Sequence, residues 1–343
     1  MKKSDLQKYI DDKYISVQKH TEADLYIYNY TQKAQFDRVW TEETMSCRGL
    51  ILDGDGNVVA RPFRKFFNLE EAVGQGDSLP AESFTVTEKY DGSLGILYWI
   101  GNEPYLATRG SFVSEQAIEG NKMLQEHRDI FDKLHKEYTY LFEIIYPENR
   151  IVVDYGGKRE LVLLAVVDTK SGEELDPREF KLGFPCAVFL DGITDYKTLA
   201  GRQESNKEGF VIRFVSGKRY KVKFEEYVRL HRLITGVNAR RIWDLLRNDQ
   251  SLDELLERVP DEFFKWVQTT KGNLERDYQR WFDVAMRVYS EVMSMETRKE
   301  QAVYLQKYDC RDIVFRMLDG KEYSELIWKR LKPAHETPFK MEI

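Results

Sequence analysis

Cysteine is scarce in this chain. There are three in 343 residues, Cys47, Cys186 and Cys310, and no Cys-x-x-Cys pair. The five histidines fall at no ligand spacing with them, so a structural zinc site is not expected. The sparse, odd count fits a reducing compartment. Long apolar runs are missing too, and nothing approaches the length of a membrane span. The N-terminal Met1-Lys2-Lys3-Ser4-Asp5-Leu6 lacks the apolar core of a secretory signal. A cytoplasmic protein with no membrane partner is the expectation. Nor is there an excess of positive charge: 52 Lys and Arg stand against 58 Asp and Glu, a net charge of −6. Proteins that coat nucleic acid are usually basic, so any nucleic-acid contact has to use locally gathered cations. No Walker-type phosphate loop, G-x-S-x-G elbow or Cys–His pairing stands out.

What is present is an ordinary globular balance, 42% hydrophobic, 32% charged and 13% aromatic. The length is enough for two domains with substantial cores. Two textures divide it. Up to about residue 235, short β-rich runs alternate with turn residues: Phe84-Thr85-Val86-Thr87-Glu88, Leu94 to Trp99, Leu161 to Val167, and Phe210 to Phe214. Asp53-Gly54-Asp55-Gly56-Asn57 marks a turn between two such runs. A helix is predicted over about 115–136. After Gly236 the apolar spacing becomes helical, as in Leu245, Leu246, Leu252, Leu255, Leu256 and Val259, and again in Trp281, Phe282, Ala285, Val288, Tyr289 and Val292. Pro260-Asp261 and Asp319-Gly320 read as helix boundaries. The expected fold class is α+β: a domain over 1–235 with antiparallel sheets, then an all-helical domain over 236–343.

The sharpest chemical feature is Glu88-Lys89-Tyr90-Asp91-Gly92-Ser93. It follows a strand and ends in an Asp-Gly turn, so a plain hairpin with an exposed lysine is one reading. The other makes Lys89 a nucleophile. That needs the free amine, which nearby cations or desolvation favour. In Arg219-Tyr220-Lys221-Val222-Lys223-Phe224, strand alternation puts Lys221 and Lys223 on one face. That face is either a solvated basic surface or a clamp for a polyphosphate. Asp91, Glu143 and Glu208 sit among apolar strand residues. Each is either half of a buried salt bridge or part of a set holding hydrated Mg²⁺ or Mn²⁺. Arg48 opens an apolar strand, and Lys65 abuts Phe66 and Phe67. Either lies over aromatic rings or contacts a nucleotide.

The order of these features resembles the covalent nucleotidyltransferase superfamily, and within it the bacteriophage-type RNA ligase 1 family. The matching strings are Cys47-Arg48-Gly49, Lys65-Phe66-Phe67-Asn68-Leu69, Asp91-Gly92-Ser93-Leu94 after Lys89, Gly110-Ser111 with Ser114 to Ala117, Phe142-Glu143, Pro147 with Asn149 to Val152, and Glu208-Gly209. They cover roughly residues 24 to 232.

The resemblance implies an ATP-dependent RNA ligase. Lys89 would take AMP from ATP. Tyr28, Arg48 and Phe67 would meet the nucleotide, and Val211 would pack on adenine. Lys65, Lys221 and Lys223 would steady the phosphates, and Asp91, Glu143 and Glu208 would position Mg²⁺ or Mn²⁺ through water. Arg109 stands where the family typically has lysine, keeping the charge with a different geometry. The implied partner is RNA with 5′-phosphate and 3′-hydroxyl ends, with nicked tRNA as one candidate, and a monomer is expected. A DNA ligase or capping-type enzyme of the same fold is the alternative, though such relatives usually append an OB-fold rather than helices. A non-catalytic RNA-binding protein is another. Arg229, His231, Arg232, Arg240, Arg241 and Arg247 near the boundary are either an RNA-backbone track or ordinary solvated helix faces.

Overall fold

The computed structural model describes residues 3–334 apart from 75, 200, 236–237 and 259–260, with no side-chain description at 232–235, 254, 257–258 and 261–265. The expected boundaries at Gly236 and Pro260, the core position Val259 and the side chain of Arg232 lie outside the described residues. The chain divides into two compact units, Met1–Ile234 and Thr235–Ile343.

Among the described residues of the first unit, strands form three sheets. Ile15–Lys19 (β1), Leu25–Tyr30 (β2), Arg48–Asp53 (β3) and Val58–Ala60 (β4) make an antiparallel meander. Phe67–Asn68 (β5) and Phe84–Lys89 (β6) are the edges of a second sheet. Ser93–Ile100 (β7), Glu103–Ala107 (β8), Tyr138–Ile145 (β9), Glu160–Asp168 (β10) and Glu174–Leu175 (β11) form a third, in the order β11-β10-β9-β7-β8. Gly209–Phe214 (β12) and Arg219–Lys223 (β13) complete the second sheet, in the order β5-β13-β12-β6. The fold class is α+β with predominantly antiparallel sheets.

Alternation along the strands decides which side chains reach which core. Leu25, Ile27 and Ile51 of the meander pack against Ile96, Tyr98, Leu141 and Ala165 of the five-stranded sheet. The opposite face of that sheet buries Phe142, Leu161 and Leu163 with Met123 and Leu124 from the helix Glu115–Glu126. The second sheet turns Val86, Ile212, Tyr220 and Val222 toward Leu69, Leu199 and Tyr227. Its other face is left for the cleft.

The helix expected over 115–136 is shorter. Ser114 caps it by accepting from the Ala117 N–H, it stops at Glu126, and Arg128–Lys133 continues as a 3₁₀ turn. His127 has left helical geometry, and Ile130 and Leu134 beyond it still reach the core with Met123. In the second unit all described elements are helical. A 32-residue helix, Asp261–Val292, buries Ala285, Val288 and Val292 against Ile313, Val314 and Ile327. The expected boundary at Asp319-Gly320 holds, since the preceding helix ends at Leu318 and Gly320 adopts φ +62°.

Candidate active site

The Lys89-to-Gly92 segment is not a hairpin turn. β6 ends at Lys89 and β7 begins at Ser93, but the two strands belong to different sheets. The turn therefore carries the chain from the second sheet to the third, and Lys89 stands where they meet. Gly92 is pinched in that passage. A Cβ there would lie 2.7 Å from the Ile144 carbonyl oxygen. Its N–H donates to Glu143 Oε1 at 2.8 Å.

The second sheet supplies the cleft floor in register. Gly209 on the central strand β12 lies opposite Lys89 on one side and Lys223 on the other, while Val211 lies opposite Thr87 and Lys221. Thr85, Thr87, Lys89, Val211, Arg213 and Arg219 all line one cavity, which Arg48, Phe66 and Glu143 help to close. Gly209 makes the alignment feasible. It has φ +149°, and a Cβ would lie 2.0 Å from the Val222 carbonyl oxygen. A side chain at this position would force the lysine-bearing strands apart.

Two bulges aim further residues inward. On β3, Gly49 (φ +101°) is the extra residue, since Tyr28 pairs with Leu50 and Asn29 with Arg48. The slip turns Arg48 off the face shared by Leu50 and Leu52 and into the cavity, with its guanidinium 5.7 Å from the Phe66 ring. On β10, Leu164 is the extra residue, and it also lines the cavity. Bulges of this kind re-aim side chains beside active sites.

At the catalytic end, Lys89 Nζ lies 2.8 Å from Glu208 Oε2, and Lys223 Nζ lies 3.3 Å from Glu208 Oε1. The Glu208 side chain is only 4% exposed, so its two negative oxygens depend on these lysines for compensation. Burial pushes the Glu143 carboxyl up to about 7; Lys89 opposes the rise, while Glu208 and Asp91 add to it. Burial, and next Lys223, push the His231 imidazole below its usual value.

Several expected residues take other positions. Tyr28 is a correction. It is 1% exposed and packs with Leu6, Ile15, Cys47 and Leu50 in the core on the outer face of the meander, where burial raises its phenol pKa. Tyr30 on the same strand instead has its ring 5.5 Å from the Arg109 guanidinium and 5.6 Å from Lys65 Nζ. Phe67 does not line the cavity. It packs on Trp40, and together with Tyr30 these rings surround the Lys65 ammonium at 5.4 to 5.6 Å. The neighbouring Phe66 is the one that reaches the cavity. Lys221 is buried on the cleft-facing side of β13, beside Asn68 of β5.

Asp91 is fixed rather than presented. Oδ2 accepts from the Val152 and Val153 N–H groups at 2.9 Å each, and Oδ1 accepts from the Tyr227 hydroxyl at 2.7 Å. Among the described residues no group of three His, Cys, Asp or Glu is arranged to hold a metal directly. The donor set fits a hydrated cation met through water by Glu143 and Glu208, as Mg²⁺ prefers. Asp91 shapes the turn instead.

The far end of the cavity was not expected from the sequence. Glu174 bridges Arg213 Nε at 3.2 Å and Arg219 at 2.7 Å, and Arg219 lies 4.3 Å from the Phe63 ring. The sequence reading put Lys221 and Lys223 on one face of this strand; the structure adds Arg219 to that face and brings Glu174 to it. Of the boundary cations, Arg229 pairs with Glu226, Arg247 pairs with Glu325 and His231 is buried, while Arg240 and Arg241 are exposed.

The model of the RNA ligase family matches residues 46–228, which holds the cleft residues from Arg48 to Lys223 and leaves out Tyr30, Trp40 and His231. The chain belongs to the RNA ligase family. It is a ligase enzyme, and the Lys89 cleft lies inside the matched region. It is 25% identical to the RNA ligase of Rhodothermus phage RM378, over 88% of this chain and 86% of that one. It is 26% identical to a putative RNA ligase of Thermovibrio ammonificans, over 71% and 67%. Among solved structures, Naegleria gruberi RNA ligase with PPi aligns at TM-score 0.38 and 20% identity. That alignment covers 49% of this chain and 57% of the other, a likeness on which nothing further rests.

Proposed function

We propose that this ligase is ATP-dependent and joins an RNA 5′-phosphate to an RNA 3′-hydroxyl through AMP carried on Lys89. The supporting observation is the amine itself. It ends a cleft-floor strand, is held by Glu208 at 2.8 Å, and lies level with Lys223 across Gly209.

In the first step Nζ of Lys89 attacks the α-phosphorus of ATP. A P–N bond forms, the bond to the bridging oxygen breaks, and pyrophosphate leaves; Glu208 is the proton acceptor within reach. Lys223 and Lys221 stabilise charge on the phosphates. Arg48, Phe66 and Val211 wall the nucleotide, and Lys65 and Arg109 add positive charge held on aromatic rings. In the second step an RNA 5′-phosphate oxygen takes the adenylyl group and the amine is released. In the third the 3′-oxygen bonds to that 5′-phosphorus and AMP departs. The catalytic contribution is mainly positioning and charge stabilisation. Mg²⁺ or Mn²⁺ would neutralise phosphate charge, with Glu143 and Glu208 as the residues to hold it through water.

We assign residues 1–235 to nucleotidyl transfer and the helical unit to RNA selection, with nicked tRNA as the candidate repair substrate and a monomer as the working unit. The test is incubation with α-labelled ATP and a divalent metal. A covalent, acid-labile label on the wild-type protein, absent in Lys89→Ala, is the expected result. A label retained in Lys89→Ala would move the nucleophile elsewhere. Sealing of a nicked tRNA in preference to unstructured RNA of equal length tests the repair role.

A further inference from the structure

A second cavity shares Asp91 and Gly92 with the turn that carries Lys89. It is lined further by Tyr146, Asn149, Arg150, Asp154, Tyr155 and Lys158. Gly92 borders both cavities. The string Pro147-x-Asn149-Arg150 contributes much of this wall and has no part in the nucleotide cleft.

The size is about 150 Å³. That is below the roughly 300–1,000 Å³ of ordinary ligand pockets, a size suited to a sugar-sized group. The charge is balanced: Asp91 and Asp154 stand against Arg150 and Lys158. A terminal phosphate, carrying about −1.5 to −2 at neutral pH, meets no net positive charge in it. The lysine- and arginine-rich cleft beyond Gly92 is where such a group is favoured. What the second cavity does offer is uncharged hydrogen-bonding capacity. The Asn149 amide is already oriented by Ser93 Oγ at 3.0 Å and the Ile144 carbonyl at 3.3 Å. The Tyr155 hydroxyl accepts from the Asp91 N–H at 2.8 Å. Groups of this kind read hydroxyls. Arg150 and Lys158 are 53% and 63% exposed at the rim, placed for the next phosphate along a strand.

We propose that this cavity holds the terminal ribose of the acceptor RNA, with its 2′- and 3′-hydroxyls read beside Asn149 and its 3′-oxygen directed across Gly92 toward the adenylylated end. This rests on the ligase reading. The step is the third one above: the 3′-oxygen forms the new bond to the 5′-phosphorus, the bond to AMP breaks, and the hydroxyl proton goes to water. The 2′-hydroxyl is the group that distinguishes RNA from DNA at a given site, so the cavity also accounts for acceptor choice.

The experiment separates the steps. Sealing is measured with a donor RNA already carrying 5′-adenylate, using acceptors that differ only in a ribose or 2′-deoxyribose at the last residue. Lys89 labelling by ATP is followed in the same preparations. Wild-type protein is expected to prefer the ribose-ended acceptor by about tenfold, the effect of one well-made hydrogen bond. Asn149→Ala is expected to abolish that preference while Lys89 still labels. Arg150→Ala, at an exposed position, guards against misfolding of the first variant; it is expected to raise the acceptor KM about threefold and keep the preference. Normal labelling with an unchanged preference in Asn149→Ala, or an unchanged KM in Arg150→Ala, overturns the assignment alone. No labelling and no sealing by wild type overturns the ligase reading and this assignment with it.

Discussion

The two ends of the cleft have the same charge pattern and different cations. At one end Glu208 bridges Lys89 and Lys223; at the other Glu174 bridges Arg213 and Arg219. A lysine ammonium is a single charge on a flexible stem, free to change partners and able to become a nucleophile on losing a proton. A guanidinium stays charged and grips a carboxylate with a rigid fork. Here Arg219 uses one nitrogen rather than the fork, donating to both Glu174 oxygens at 2.7 and 2.9 Å, and Arg213 also donates to the Glu174 backbone carbonyl at 3.1 Å. In the proposed reaction the lysine end exchanges partners when phosphates arrive. The arginine end ties β11 of one sheet to β12 and β13 of the other. We propose that one carboxylate serves chemistry and the other alignment.

The largest effect expected from breaking this contrast is at the lysine end. Lys223→Ala removes a preorganised cation 3.3 Å from Glu208 and is expected to slow Lys89 adenylylation by about 10²–10³-fold, the usual consequence of losing one such donor. Single-turnover labelling measures it. A loss below about tenfold would mean that the phosphates lie elsewhere.

Glu143, near Lys89 and Glu208, comes next. Its buried carboxyl is raised from 4.5 to about 7. The folded chain therefore binds the proton more tightly than the unfolded chain. Stability from this group is full below about pH 4.5 and is lost as pH rises to about 7, by roughly 3 kcal/mol. Thermal melting of the nucleotide-free protein at pH 5 and pH 8 should show that loss, and Glu143→Gln should remove most of it. Equal pH dependence in both proteins would count against the burial argument. Adenylylation runs the opposite way and is expected to rise through pH 7, because only the ionised carboxylate holds a cation through water.

Much of this was legible in the strands and little of it in the turns. Period-two alternation placed Lys221 and Lys223 on one face of β13, and the structure adds Arg219 to that face. The run of helical spacing after Gly236 was equally plain. Tyr28 was misplaced because its role came from the family resemblance alone; the bulge at Gly49 re-aims Arg48, and Arg48 and Tyr28 end on opposite sides of the meander. Asp-Gly suggested a hairpin at residues 91–92, yet the pairing partners of β6 and β7 are in different sheets, and no local signal reports that. Phe66 and Phe67 are adjacent and chemically alike. Only the direction of β5 decides which one meets the cavity.

The smallest effect belongs to the arginine end, and it tests the division of roles most directly. The side chains of Glu174, Arg219 and Arg213 are 16%, 13% and 29% exposed. Losing the charge from this network therefore costs less than the few kcal/mol of a fully buried break, and Glu174→Gln is expected to destabilise by roughly 2 kcal/mol. The KM for ATP should rise as the two sheets lose alignment, while the rate of Lys89 labelling at saturating ATP stays within about threefold of wild type. Arg219→Lys should not behave as a silent change, because an ammonium cannot replace the planar guanidinium lying on Phe63. If Glu174→Gln instead abolished labelling at saturating ATP with the melting temperature unchanged, the arginine end would be part of the chemistry. The two carboxylates would then be doing the same job.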